Sequence, residues 1–336
     1  AESAACCTMG SLGETFCSSA PGVFTAFTKD VHWSPDGSCL LTADDTDTIK
    51  LFEVPGSPSD SESGWKPVLK CAEGETIYDY KWYPFMNSSN PATCCFASSS
   101  RDHPLHLWDA FTGQLRASYR AYDHLDEIVA AYSLCFTADG SHLLAGYNRA
   151  LRLFDVTVPG RPVATFATSA TKKSRQGQRG LISAIAAPAT ETDLFAAGSY
   201  RGSIYLYDVR SGQEEAELGA GVAVGGVTQL RFLSSDANYL FSGSRRGETA
   251  EESHVVCWDV RSSGHPVTAY PRTARTHQRI GFDLDPTSRF LATGSDDSRC
   301  LIYDLATGAL AGEVPSKDAV NGVAFHPLGA PMLALS

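Results

Sequence analysis

A chain of 336 residues that is 43% hydrophobic carries ample material for a core, and its net charge of −11 excludes indiscriminate attraction to polyanions. No apolar run approaches the roughly 20 residues that cross a bilayer as a helix, so a soluble protein without membrane contact is expected. Ten cysteines include the adjacent pairs Cys6-Cys7 and Cys94-Cys95 but no C-x-x-C spacing, which favours reduced thiols over zinc or disulfides. The opening Ala1-Glu2-Ser3-Ala4 has no basic or apolar leader and the last residues stop inside a strand-like run, so a piece of a longer chain is expected.

Residues 1–26 form an N-terminal segment without a repeat; from residue 27 onward one pattern recurs. A run with alternate apolar residues, the period-2 mark of a strand, closes on an apolar or aromatic residue and an acid. It occurs as TIKLFEV (48–54), LHLWDA (105–110), LRLFDV (151–156), SIYLYDV (203–209), HVVCWDV (254–260) and RCLIYDL (299–305). The acids Glu53, Asp109, Asp155, Asp208, Asp259 and Asp304 are spaced near the about 40–45 residues of a WD blade, with insertions in some. Ahead of each lies a turn rich in Asp, Pro or Gly, as in WSPDG (33–37) and FTADG (136–140). A strand of small apolar residues follows it, as in FAAGSY (195–200) and LATGS (291–295). A more variable fourth strand comes after the acid, as in QLRASY (114–119). The expectation is an all-β, seven-bladed WD-repeat β-propeller over residues 27–336. Its last blade, beginning at residue 320, is incomplete, and the segment around residues 12–16 supplies the outer strand.

Several stretches are more specific than a generic blade: GETIYDYKWYP (74–84), the run 98–127, KKSRQGQRG (172–180) and QRIGFDLDPTSRFLATGS (278–295). On these stretches the chain resembles the telomerase Cajal body protein family, from about residue 28 to the end. The resemblance implies a nuclear, non-enzymatic scaffold of the Cajal body that binds H/ACA-type small Cajal-body RNA and telomerase RNA through their CAB box. It further implies contact with H/ACA proteins (the dyskerin complex) and the telomerase reverse transcriptase complex, a role in telomere maintenance, and folding by the chaperonin. The animal members' long tails are absent here, and the first 26 residues match poorly.

Strand direction sorts the charges independently of that resemblance. In a four-stranded antiparallel blade, second-to-third turns and blade-to-blade links share one face of the ring, and the other turns share the opposite face. The first of these faces collects Arg101, Arg149, Arg201, Arg245, Arg246, Arg299, Lys172, Lys173, Arg175, Arg179, Arg272, Arg275 and Arg279; Arg161, Arg210, Arg261 and Arg289 fall on the other. Two links stand out. The first holds Lys172, Lys173, Arg175 and Arg179 with Gln176 and Gln178 as base-edge partners, and the second holds Arg272, Arg275 and Arg279 with His277 and Gln278. Arginine suits phosphate forks and stacking on unpaired bases, and Tyr147 and Tyr200, beside Arg149 and Arg201, are candidate platforms. A solvated charged loop is the competing reading, and for Arg149 and Arg272 folding and binding are equally open.

Other signals carry less. Tyr78, Tyr80 and Trp82 alternate on one strand, where a nucleobase platform is one reading and packing between blades in the core is the expected one. The carboxylates of residues 44–47 lack the Gly and Glu of a calcium loop, and the glycines of 219–226 lack the lysine of a phosphate loop. Neither a cofactor nor a catalytic cluster is expected. A protein-only adaptor using the same face is the alternative function.

Overall fold

The computed structural model describes the backbone of residues 2–9, 15–16 and 22–24, and with side chains residues 28–54, 66–171, 176–190, 193–220, 225–245, 253–262, 264–276, 278–330 and 332–336. Six four-stranded antiparallel sheets follow one another along the chain, at residues 28–72, 77–119, 133–167, 182–218, 227–272 and 282–315. They are blades one to six, and in each the strands lie side by side in chain order.

Among the described residues six such blades are present, not the seven expected. The C-terminal run supplies only the hairpin Val323–Phe325 and Met332–Leu335, which on its own would leave an open edge. That edge is taken by the N-terminal strand Glu2–Met9, antiparallel with Ala5 opposite Leu335. Thr15–Phe16 and Gly22–Phe24 both pair with the N-terminal strand in turn. This composite sheet lies between blades six and one, where Trp33 Nε1 donates to Ala324 O at 3.0 Å and Phe325 N donates to Asp283 Oδ2 at 2.8 Å.

The recurring acid has a local cause. Each blade's third strand ends on it, and in five blades its carboxylate accepts N–H bonds from the turn that follows. Asp109 Oδ1 takes Phe111 N and Thr112 N at 2.8 Å, and Asp304 Oδ1 takes Ala306 N and Thr307 N at 3.0 Å. Asp155, Asp208 and Asp259 do the same for Thr157, Ser211 and Arg261. A carboxylate there replaces water for donors that the tight turn would otherwise leave unpaired.

Packing runs between blades rather than within them. Phe96, Phe195, Phe241 and Leu291, one from each of four second strands, are buried against a neighbouring blade. The innermost strands are then stitched to each other by polar groups around the axis. Tyr80 Oη donates to Asp30 O (2.8 Å), Leu134 N to Asp79 Oδ2 (2.8 Å), Ser133 Oγ to Ile182 O (2.9 Å) and Ser183 Oγ to Val227 O (2.5 Å). Gln229 exchanges two bonds with the Phe282 backbone, at 2.8 and 2.9 Å. With the Trp33 and Asp283 bonds, every neighbouring pair of sheets is joined at the axis, each bond contributing about 1 kcal/mol.

Candidate nucleic-acid interface

The face carrying the blade links and the second-to-third turns has a repeating geometry. The residue just after the second strand turns back and donates its N–H to the carbonyl just before the first strand. Arg101 N reaches Thr76 O at 2.9 Å, Tyr200 N reaches Leu181 O at 3.0 Å and Arg245 N reaches Gly226 O at 2.9 Å. Arg101, Tyr200 and Arg245 therefore occupy equivalent points on blades two, four and five. Arg101 and Arg201 are exposed, and Tyr200 is 38% exposed. The Arg245 guanidinium stands 5.0 Å over the Tyr200 ring. Gly226 permits this, because a Cβ there would lie 2.6 Å from Tyr200 O and 2.8 Å from Arg245 Nε. The Arg201 stem lies along Gly180, whose φ is +92°.

A second feature comes from irregular first strands. In blades one, two, four and five the register shifts between Thr28 and Asp30, Ile77 and Asp79, Ile182 and Ala184, and Val227 and Gln229. The extra residue of such a bulge is released from the alternating pattern, and in blades one, two and four it leans toward the following blade. Lys29 Nζ donates to Ile77 O at 3.4 Å, Ser183 Oγ donates to Val227 O, and the Tyr78 ring packs 5.2 Å from that of Tyr132. Tyr80 and Trp82 are buried, as expected of core residues, but Tyr78 is only half-buried. Burial pushes the Tyr78 phenol up, with Tyr132 and Tyr200 adding to the shift and Arg101 opposing it; all these side chains share one electrostatic neighbourhood.

Toward the axis, Arg279 reaches across from the link between blades five and six to Asp30 (3.8 Å) and Asp79 (3.6 Å) on blades one and two. Burial works against its charge, but the two carboxylates outweigh it and hold the guanidinium protonated. Asp30 is pushed up by burial, with Arg279 and Lys81 as the main counterweights. Lys81 pairs with Asp79 at 3.3 Å, and Arg231 pairs with Asp283 at 2.6 Å. Toward the opposite face the axis holds a cavity of about 310 Å³ lined by Asp30, His32, Gln229, Arg231 and Asp283. Among the described residues no group of three or more His, Cys, Asp or Glu is placed to hold a metal.

The residues expected from the sequence divide into three sets. Arg149, Arg179, Arg201, Arg275, Gln176, Gln278 and Arg279 lie exposed or half-buried. Arg149 adopts φ +57° and is held by its backbone, donating to Gly180 O at 2.9 Å. Lys172, Lys173, Arg175 and His277 lie outside the described residues.

Gln178, Arg272 and Tyr147 depart from expectation, because all three are buried. Gln178 Nε2 donates to Ala197 O (2.7 Å) and Ser203 O (3.1 Å), and its Oε1 accepts Tyr207 Oη (3.1 Å). Arg272 donates to Ile280 O (2.9 Å), Ser244 O (3.1 Å) and Thr293 Oγ1 (3.1 Å). Arg272 ends the fourth strand of blade five and bridges Ser244 of its own blade to Thr293 of blade six, whereas Gln178 sits in a blade link and bonds into the blade that follows. Glu73 does the same in blade two, accepting from Ser98 Oγ, Ser100 Oγ and Trp108 Nε1 and bonding His106 Nδ1 at 2.9 Å. Tyr147 already carries a guanidinium, that of Arg152 at 4.6 Å. Tyr132 was not singled out in the sequence, and Tyr78, expected in the core, is instead half-buried beside it.

Known proteins share this layout in sequence. The family WD domain, G-beta repeat matches residues 22–53 and 270–304. Telomerase Cajal body protein 1 of Bos taurus is 44% identical over 92% of this chain and 57% of its own length. The Homo sapiens protein of that name is 44% identical over 92% of this chain and 56% of its own. Guanine nucleotide-binding protein negative regulator 1 of Schizosaccharomyces pombe is 31% identical over 85% of this chain and 73% of its own. The chain thus spans a little over half the length of the Cajal body relatives.

Proposed function

Because the chain belongs to the WD-repeat family that includes Telomerase Cajal body protein 1 and the fission yeast regulator, we propose that it is a non-catalytic, RNA-binding scaffold of the nuclear Cajal body. Its ligands on this reading are the CAB-box loops of H/ACA-type small Cajal-body RNA and telomerase RNA. The H/ACA proteins and the telomerase reverse transcriptase complex are its partners in the assembled particle, and the chaperonin assists its folding.

One observation carries the reading. A chain of net charge −11 gathers Arg101, Arg201, Arg245 and Arg279 with three tyrosines on one face of the ring. Such a sector attracts a phosphate backbone while the acidic remainder repels unspecific polyanions. Unpaired loops are read through stacking and guanidinium forks, which these side chains supply. Lys172, Lys173, Arg175, Arg179, Arg149, Arg275, His277, Gln176 and Gln278 complete the RNA-facing set. Gln178, Arg272 and Tyr147 support it from beneath.

Crosslinking to RNA in cells, with sequencing of the bound species, tests this. Recovery of short RNAs sharing a terminal-loop motif is expected; protein partners without RNA would instead favour the adaptor reading. With about five cations engaged, log affinity falls against log salt with a slope near −3 to −4. Replacing Lys172, Lys173, Arg175 and Arg179 by Ala flattens it, and an unchanged slope removes that loop from the interface.

A further inference from the structure

The tyrosines at the axis point to a subsite that the charge pattern alone does not define. Tyr78 and Tyr132 come from adjacent first-strand positions of blades two and three, one through a bulge and one just ahead of its strand. Their rings pack at 5.2 Å with a 36° tilt, yet both remain half-buried at the mouth rather than enclosed between blades. Blades four and five place only Ser183 and Thr228 at the equivalent bulge positions, and both hydroxyls are used in bonds, to Val227 O and to Gly243 O. No bulky side chain from those positions covers the tyrosines. Across the mouth, Tyr200 shows a partly open ring with Arg245 on it. Below, Arg279 meets Asp79, the residue next to Tyr78, and lies within electrostatic reach of Tyr200. Its Nε is buried without a hydrogen-bond partner.

We propose that the axial mouth framed by Tyr78, Tyr132 and Tyr200 is a stacking subsite for one unstacked nucleobase, with Arg101, Arg201 and Arg245 taking the flanking phosphates. This rests on the reading that the face binds RNA. Two half-covered phenol rings side by side, tilted 36° to each other, give an apolar cleft with a π-face, which any base matches whatever its edge. Arginines spaced around that surface meet the backbone on either side of a base turned inward, and the Arg279 donors face acceptors on the base itself. The axis thus takes a base and the rim takes phosphate.

The test uses a single-stranded hexaribonucleotide carrying one 2-aminopurine, titrated with the intact chain. Stacking is expected to quench the 2-aminopurine emission. Tyr78→Leu and Tyr132→Leu keep apolar bulk and are expected to abolish the quenching and weaken binding about 5- to 150-fold, the range for losing one base–aromatic stack. Tyr78→Phe restores both, and Phe111→Ala on the opposite face leaves both unchanged. If the wild-type chain binds no RNA, the proposed function itself fails. If it binds without quenching, or binds equally well with Leu at 78 and at 132, the RNA reading stands and the subsite is overturned. Tyr200→Ala, on an exposed turn, supplies the same comparison should a Leu variant not fold, and unchanged binding there counts against the subsite equally.

Discussion

The blade links and the second-to-third turns share one face of the ring, yet they spend their polar side chains in opposite directions. Glu73 and Gln178 in the links, and Arg272 where blade five runs into its link, are buried, and each bonds into the blade that follows. Arg101, Tyr200, Arg201 and Arg245 stand at the turns and leave their side chains at the surface or stacked on each other. Residue type does not separate the two sets, since arginine occurs in both. Position relative to the strand register does. Glu73, Gln178 and Arg272 meet carbonyls and hydroxyls at the edge of the next blade, whereas Arg201 and Arg245, whose turns are closed by their own backbone, hold their side chains at the surface or on the Tyr200 ring.

That contrast breaks most visibly at Arg272. Replacing it by Met leaves Ile280 O, Ser244 O and Thr293 Oγ1 without their donor inside the protein. A loss of about 2–4 kcal/mol in urea unfolding is expected, with RNA affinity of the folded fraction unchanged. A selective loss of RNA affinity at unaltered stability would place Arg272 with the turns instead. Burial pulls its guanidinium down to about 10, still far enough above neutrality that the group is charged where these bonds are made.

Gln178→Leu is the milder version. It strips donors from Ala197 O and Ser203 O and the acceptor from Tyr207 Oη, and is expected to cost about 1–3 kcal/mol by the same measurement. The double variant Arg201→Ala with Arg245→Ala should behave inversely. Stability stays within about 0.5 kcal/mol, while the salt slope for single-stranded RNA becomes shallower by about 0.7 for each phosphate no longer neutralised. Equal affinity and slope would show that the turns, too, are only structural.

The smallest effect lies on the opposite face. Hydrogen bonds from the following turns hold the Asp109, Asp208 and Asp304 carboxyls below the usual carboxylate range. A depressed folded-state pKa stabilises above the unfolded value near 4 and is lost as pH falls through the folded one. The melting temperature is therefore expected to drop below about pH 4, and Asp304→Asn should lower it at pH 7 but narrow the difference between pH 7 and pH 3. Unaltered acid sensitivity in that variant would assign the dependence elsewhere.

Much of the fold was legible in the chain because two signals coincide: alternating apolar residues mark each strand, and the acid closing the third strand marks each blade. The basic turns were legible for the same reason, since strand direction alone assigns their face. The links were not, because the length between the last residue of one blade and the first of the next hides which side chain meets the neighbouring edge. Gln178 looked available beside Lys172 and Arg179, and only its bonds to Ala197 O and Tyr207 show otherwise. Tyr78 was hidden by the opposite error. Strict alternation puts it with Tyr80 and Trp82, but the shift between Ile77 and Asp79 moves it off that face, and nothing in IYDYKW announces a bulge. The blade count failed where the last sheet draws its strands from both ends of the chain.

The pairing of Ala5 with Leu335 makes the ring a clasp whose two halves are separated in sequence by all six blades. No amount of local order in the intervening blades can shut it, because this hydrogen-bonded edge forms only between segments that lie on either side of all six blades in the sequence. Such remote pairing is slow, and until it happens the unpaired edges of the N-terminal strand and the terminal hairpin stay open to strangers. A nascent chain of this design therefore gains from a sheltered interval between leaving the ribosome and locking shut.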